Sequence, residues 1–172
     1  MSSPQLTPVS YVVLGMVAEG ATTSYDMKQK ASRSVGYFWN FPHSQLYAEP
    51  GHLVELGLLD EEREAEGRRR RVYTLTAAGR QALDDWLREP TSEQPQIRDA
   101  GLLKLFFGEG LSADEVTELA QAQEEAHRAR LAVYETKADT VTNPNHAAVV
   151  RAGLLHERTF AEFWREVAAT PP

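Results

Sequence analysis

Apolar positions along the chain follow two periodicities, and their alternation lays out an order of elements. Behind Thr7-Pro8, an N-cap with proline at the first helical position, Val9, Val12, Val13, Met16 and Val17 recur at helical spacing and predict a helix ending by Glu19-Gly20. Thr23 or Ser24 starts a second helix through about Ser34, with a stop near Gly36. The run Tyr37-Phe38-Trp39-Asn40-Phe41-Pro42 is too aromatic for a solvated loop, so it is expected to dock on a core just before a new element begins. Ser44 is the expected N-cap of that element, a helix with Leu46, Leu53 and Leu56 on one side, Gln45, Glu49, His52 and Glu55 pointing elsewhere, and Gly57 as its stop. The pattern then changes: Leu58 to Glu64 and Arg71 to Leu75 read as two strands turning at Glu66-Gly67. Thr76 caps a further helix carrying Ala78, Leu83, Trp86 and Leu87. Cap, turn and strand signals agree on one unit, a winged helix-turn-helix whose wing is a two-stranded β-hairpin.

From Arg88 to Asp99 the pattern lapses into Pro90, Thr91, Ser92, Glu93 and Pro95, a linker. Beyond it Ala100 to Phe107 is apolar on nearly every side and should be buried between other elements. Ser112-Ala113-Asp114-Glu115 is a capping-box pattern opening a long, alanine-rich helix to about Lys137. After a break at Asn143-Pro144-Asn145, the last helix carries a stripe of Val150, Gly153, Leu154, Phe160, Ala161, Trp164, Val167 and Ala168. The expected fold is mainly α, with a winged helix-turn-helix at residues 1–88 and a helical dimerisation domain at residues 89–172. In the latter, Val150, Leu154, Phe160 and Trp164 form the dimer interface.

Composition alters this picture at two points. The 172 residues include no cysteine, which excludes disulfides and thiolate metal sites and fits a reducing cytoplasm. No segment approaches the roughly 20 apolar residues of a membrane helix and no leader pattern opens the chain, so a soluble, cytoplasmic protein without membrane contact is expected. Charge is the harder point, because 18 basic against 25 acidic residues give a net −7, which uniformly spread would repel a polyanion. Ten basic and twelve acidic residues lie through residue 90, so neither part is basic as a whole. The local field decides, and Arg68-Arg69-Arg70-Arg71 at a hairpin tip can lie within a Debye length of a phosphate backbone whatever lies further away.

At these residues the chain resembles the PadR family of transcriptional regulators. The matching motifs are Leu6-Thr7-Pro8, Val13-Leu14-Gly15, Ser24-Tyr25-Asp26, Phe38-Trp39-Asn40, Ser44-Gln45-Leu46-Tyr47, Leu56-Gly57-Leu58, Arg71-Val72-Tyr73 and Thr76-Ala77-Ala78-Gly79-Arg80. They run in order over roughly the first 90 residues and are specific jointly rather than singly. The resemblance implies a homodimeric, DNA-binding, repressor-type protein with a helical C-terminal dimerisation region, responding to small aromatic or other hydrophobic effectors. Pro50-Gly51 departs from the pattern, since many family members carry a basic residue near Gly51.

The candidate DNA-binding residues follow from that geometry. A recognition helix presents its N-terminal side chains to base edges, which selects His43, Ser44, Gln45 and Tyr47, with Gln45 suited to a bidentate contact with adenine. Arg68, Arg69 and Arg70 are expected on phosphates or in the minor groove, whereas Arg71 stays tied to the hairpin, where Glu61, Glu62, Glu64 and Glu66 can pair across strands. Lys28 and, more weakly, Lys30 add phosphate contacts from the second helix. Pro50 removes a helical hydrogen bond and clashes with the carbonyl of Leu46, so the helix either kinks or begins its regular part later than Ser44. Trp86 and Trp39 are the candidate effector contacts, flat walls suited to a planar hydrophobic ligand. For Trp39 and Trp164 core packing is the favoured role.

His43, His52, His127, His146 and His156 show no metal-binding spacing, and no nucleophile elbow, phosphate loop or dinucleotide fingerprint occurs. No metal, cofactor or enzymatic activity is expected. Two other readings stand beside the regulator: a winged-helix protein-interaction module, favoured by the net acidity and by Pro50-Gly51, and a small-molecule-sequestering protein that does not bind DNA.

Overall fold

Local capping chemistry sets most element boundaries. The computed structural model describes residues 6–39, 41–42, 44–63 and 70–172. Helix α1 (Pro8–Ala18) opens with a reciprocal box in which Ser10 N–H donates to Thr7 Oγ1 and Thr7 N–H donates to Ser10 Oγ. Thr23 and Asp26 repeat the arrangement at α2 (Ser24–Arg33), which is followed by a 3-10 turn at Val35–Tyr37. Helix α3 spans Gln45–Glu55. It ends where Gly57 takes φ 69°, so that Gly57 N–H reaches the Val54 carbonyl and Leu58 N–H the Leu53 carbonyl. A side chain is disfavoured in that left-handed conformation, which explains the glycine.

Strands β1 (Leu59–Arg63) and β2 (Arg71–Leu75) pair antiparallel, with Leu59 opposite Leu75 and Arg63 opposite Arg71. The first strand begins one residue later than the sequence suggests because the Leu58 backbone is already committed. Its N–H closes α3 and its carbonyl accepts Thr76 N–H at 3.2 Å. The Tyr73 N–H donates to the Thr22 carbonyl at 2.8 Å and fastens the hairpin to the loop after α1. Thr76 caps α4 (Ala77–Arg88) through Gly79 N–H and also donates its hydroxyl to the Gly57 carbonyl. The core of this winged helix collects Val13, Leu14, Met16 and Val17 of α1 with Met27, Leu46, Leu53, Leu59, Tyr73 and Leu83.

The chain divides into two compact units, one reaching Glu93 and the other beginning at Gln94. The second holds α5 (Ala100–Phe106), a 3-10 turn at Gly108–Gly110, α6 (Ala113–Ala138) and α7 (Pro144–Ala169). Ser112 and Glu115 box the start of α6, and the Ser112 hydrogen bonds, backbone first, hold the Glu115 carboxyl below its ordinary pKa. The two long helices, each about 39 Å at 1.5 Å per residue, run antiparallel, with His127 facing Glu157 and the Tyr134 ring lying over Gly153. Val116, Ala120, Tyr134, Ala161 and Trp164 are buried in this unit.

Helix α5 departs from expectation. Only Gly101 is buried, packed on Gln123, while Leu103, Phe106 and Phe107 are 60%, 80% and 73% exposed. A seven-residue helix touching α6 along one line cannot cover its other sides within one chain.

Close approach at the base of the wing gives a stability test. A Cβ on Gly79 would lie 2.0 Å from the Leu58 carbonyl oxygen, a backbone atom that two elements hold in place. Gly79→Ala should therefore lower unfolding free energy by about 1–3 kcal/mol or more, as overpacked cores do. The check is the denaturant midpoint, and an unchanged midpoint would mean that α4 can lift off the hairpin freely.

Candidate nucleic-acid interface

Helices α2 and α3 with their connection form the helix-turn-helix, and burial separates the two faces of α3. Leu46, Pro50 and Leu53 are buried, whereas Ser44, Gln45, Tyr47, Ala48 and His52 are exposed. Pro50 lies inside a continuous helix from Gln45 to Glu55, so the regular part starts ahead of the proline. Its ring sits on the inward face at i+4 from Leu46, where apolar bulk is needed, while the missing N–H forfeits one helical hydrogen bond. Ser44 is not the cap that the sequence suggests. Its backbone is already helical (φ −57°, ψ −30°) and its side chain makes no cap hydrogen bond, because the first turn is served by the backbone. Gln45 N–H donates to the Pro42 carbonyl at 2.9 Å, and Tyr47 and Ala48 N–H both reach the Ser44 carbonyl. The Ser44 hydroxyl is thus left to the exposed face. His43 lies outside the described residues.

One contact positioning α3 escaped the sequence reading, which set Glu49 on the outer side. The buried Ser10 hydroxyl of α1 donates to Glu49 Oε1 at 2.6 Å. Its signal was present as a serine in the otherwise apolar run from Val9 to Val17, because a buried hydroxyl requires a partner.

On the wing, Arg68 and Arg69 lie outside the described residues and Arg70 is exposed. Arg71 is tied back, its Nη1 donating to Glu61 Oε2 at 3.4 Å, while Arg63 Nε donates to Glu61 Oε1 at 3.2 Å. Lys28 is exposed on α2. Lys30 is engaged at the end of α1, 2.7 Å from Glu19 Oε2 and 3.0 Å from the Glu19 carbonyl.

Residues 13–85 match the transcriptional regulator PadR-like family, and residues 97–170 match the virulence activator alpha C-terminal family. The negative transcriptional regulator PadR of Bacillus subtilis (strain 168) is 30% identical over 125 residues, covering 72% of this chain and 69% of that protein. The crystal structure of Bacillus subtilis PadR in complex with operator DNA aligns with a TM-score of 0.84 at 26% identity, over 95% of this chain and 98% of that one. The structure of the same protein in complex with p-coumaric acid gives 0.77 at 25% identity, over 94% and 96%. This chain belongs to the PadR-like family. Its members are transcriptional regulators, a non-enzymatic family.

For a PadR-like chain, the aromatic residues divide differently from expectation. Trp39 is 43% exposed and Phe38 is also exposed, while Val35 and Phe41 supply apolar contacts of that connection to the core. Trp86 is likewise 43% exposed, with its indole stacked on Tyr11 of α1 at 4.5 Å and 8° between planes. In the second unit Val150, Leu154 and Phe160 are half-buried, and Phe160 lies against the rings of His127 and His156. Trp164 is 0% exposed within its own chain, so it cannot present a surface to a second copy; its bulk fills the helical hairpin instead. Among the described residues no acidic or histidine cluster could hold a metal ion, and no helix is long and apolar enough to cross a membrane.

The Ser10–Glu49 bond fastens the candidate reading helix to the most buried helix of the unit. Ser10→Ala should cost about 1.5–3 kcal/mol, the range for a hydrogen bond to a charged group. Glu49→Gln should cost less, because a neutral amide tolerates the site better, and the double variant should cost less than the sum of the two. Denaturation of the three variants measures the coupling, and strict additivity would remove the tie.

Proposed function

We propose that this chain is a sequence-specific, DNA-binding transcriptional regulator of the cytoplasm, acting as a homodimer on a pseudo-palindromic operator. Residues 1–88 are its reading head and residues 89–172 its dimerisation domain. One observation carries the reading: Ser44, Gln45 and Tyr47 at the start of α3 are exposed and the Ser44 side chain makes no cap hydrogen bond, in a chain similar along nearly its whole length to a PadR held on operator DNA. Gln45, Ser44 and Tyr47, with His43, reach base edges or the adjoining backbone. Arg68, Arg69 and Arg70 of the wing and Lys28 of α2 take phosphates. Repression is the mode that the negative regulator of Bacillus subtilis supports. The complex of that protein with p-coumaric acid supports a small aromatic effector, for which Trp86 offers a partly exposed indole already stacked on Tyr11 and Trp39 a second exposed ring.

Dimerisation follows from the apolar surface that one chain leaves open. Leu103 and Phe106 of α5 and Phe107 just after it protrude, and Val150, Leu154 and Phe160 of α7 stay only half-covered. Exposed apolar surface of this kind marks an interface, and a two-fold one covers the same patch on both copies.

Selecting bound fragments from a genomic library at two salt concentrations tests DNA recognition and yields the operator. On that operator Gln45→Ala should lose roughly 1–3 kcal/mol at one symmetric base pair of each half-site and spare nonspecific binding. Uniform loss over all sequences would make Gln45 a residue that positions the protein, and absence of any selected sequence would leave the interaction-module reading in place.

The dimer is tested separately with Phe106→Asp combined with Phe107→Asp, two exposed positions whose change spares the core of the chain. Burying two unpaired carboxylates costs on the order of several kcal/mol, so sedimentation at micromolar concentration should turn a dimer into a monomer. Operator affinity should fall toward the nonspecific level, because two half-sites must be engaged together. A monomeric wild type, or a variant that stays dimeric, would reject this interface.

A further inference from the structure

The inner face of the wing carries a cluster of one carboxylate and two arginines, Glu61 with Arg63 and Arg71. In the antiparallel register Glu61 stands opposite Tyr73 and Arg63 opposite Arg71, so these four side chains share one face with Leu59 and Leu75. That face is apolar at its base and charged toward the tip. The Glu61 side chain is 17% exposed, whereas those of Arg63 and Arg71 are 65% and 54% exposed. Each Glu61 oxygen accepts from a different arginine, Oε1 from Arg63 Nε at 3.2 Å and Oε2 from Arg71 Nη1 at 3.4 Å. Two like charges directly opposite each other on paired strands repel. A single carboxylate between them relieves the repulsion in the way that a phosphate held by two guanidinium groups would.

We propose that Glu61 is an internal substitute for a DNA phosphate. In the unbound protein it occupies Arg63 and Arg71, and these arginines meet a phosphodiester backbone only by exchanging the carboxylate for it. The inference rests on the DNA-binding reading and adds a specificity device to it. On arbitrary duplex the exchange returns little, because one anion replaces another; on the operator, base contacts from α3 hold the wing against the backbone and carry the exchange through. Glu61 thereby lowers affinity for non-operator DNA, which a chain with four consecutive wing arginines would otherwise bind indiscriminately.

The test measures binding of the full chain to a mixed-sequence duplex and to the selected operator across a salt series. Glu61→Gln and Glu61→Ala, made in parallel so that the result does not depend on one replacement, should tighten mixed-sequence binding by about three- to tenfold and steepen log K against log salt by about one to two units. Glu62→Gln makes the same change in net charge on the opposite face of the strand, and should stay close to wild type. Combining Glu61→Gln with Arg63→Ala and Arg71→Ala should abolish the steepening. The proposal is overturned if the Glu61 variants match Glu62→Gln, if they bind mixed sequence more weakly, if the steepening survives removal of both arginines, or if both variants lose the folded state, which would make Glu61 a structural residue. A wild type that binds neither duplex at any salt rejects DNA binding itself. A wild type that binds its operator while Glu61→Gln behaves as Glu62→Gln rejects this device alone.

Discussion

Burial of one face of α3 against α1 is the constraint on which the rest of the first unit depends. Leu46, Pro50 and Leu53 turn inward, and once they are seated the rotation of the helix about its axis is fixed. Gln45, Tyr47 and His52 must then face outward. A greasy contact alone leaves some freedom to slide. The buried Ser10 hydroxyl removes it, because a shift of α3 by one residue would take the Glu49 carboxylate away and cost that hydroxyl its partner on α3. Gly57 and Thr76 carry the same precision onward, since the Leu58 backbone closes α3 with its N–H and receives the start of α4 at its carbonyl. Wing and α3 are consequently set by one short run of backbone.

Electrostatics in this chain are settled pair by pair rather than by net charge. Several cations that a sequence count would credit to a polyanion-binding surface are engaged within the protein: Lys30 by Glu19, and Arg63 and Arg71 by Glu61. Lys28 and Arg70 are exposed. A net charge of −7 therefore does not argue against a local positive surface, and it disfavours association with polyanions through the remainder of the chain.

Legibility followed the range of the interaction. Thr7, Thr23, Thr76 and Ser112 cap helices in the structure, and the stops at Gly20 and Gly57 coincide with their positive φ values, because a cap is a contract between residues a few positions apart. The two paired strands of the wing were readable for the same reason, whereas the expected turn at Glu66-Gly67 and the expected strand end at Glu64 lie outside the described residues. Ser44 failed as a cap because the Pro42 carbonyl reached the first free N–H before any side chain was needed, a choice made by the path of the connection. Trp39 failed as a core residue, being exposed while Val35 and Phe41 supply apolar contacts of that connection to the core. For Trp164 the helical stripe was read correctly as apolar, yet periodicity cannot say whether such a stripe turns toward a neighbouring helix of the same chain or toward another copy. Exposed α5 is the reverse case, since its uniform apolarity suggested a burial that one chain does not provide.

The helical hairpin of the second unit answers a related problem of register. Two long antiparallel helices could pair in more than one alignment unless particular residues forbid the others. Glu157, 3% exposed, meets His127 Nδ1 at 2.6 Å and lies 3.7 Å from Arg130 Nη1, both from α6. A slide of one turn, about 5.4 Å, would carry the carboxylate away from both and leave it buried without a partner. It would also drive the Tyr134 ring into a side chain where Gly153 now leaves room. Replacing such a polar pair by apolar residues often stabilises a protein, so the pair is better understood through what it forbids than through what it adds. Gly153 and Glu157 together admit one alignment of α6 and α7, and that alignment determines which residues of α7 remain only half-covered.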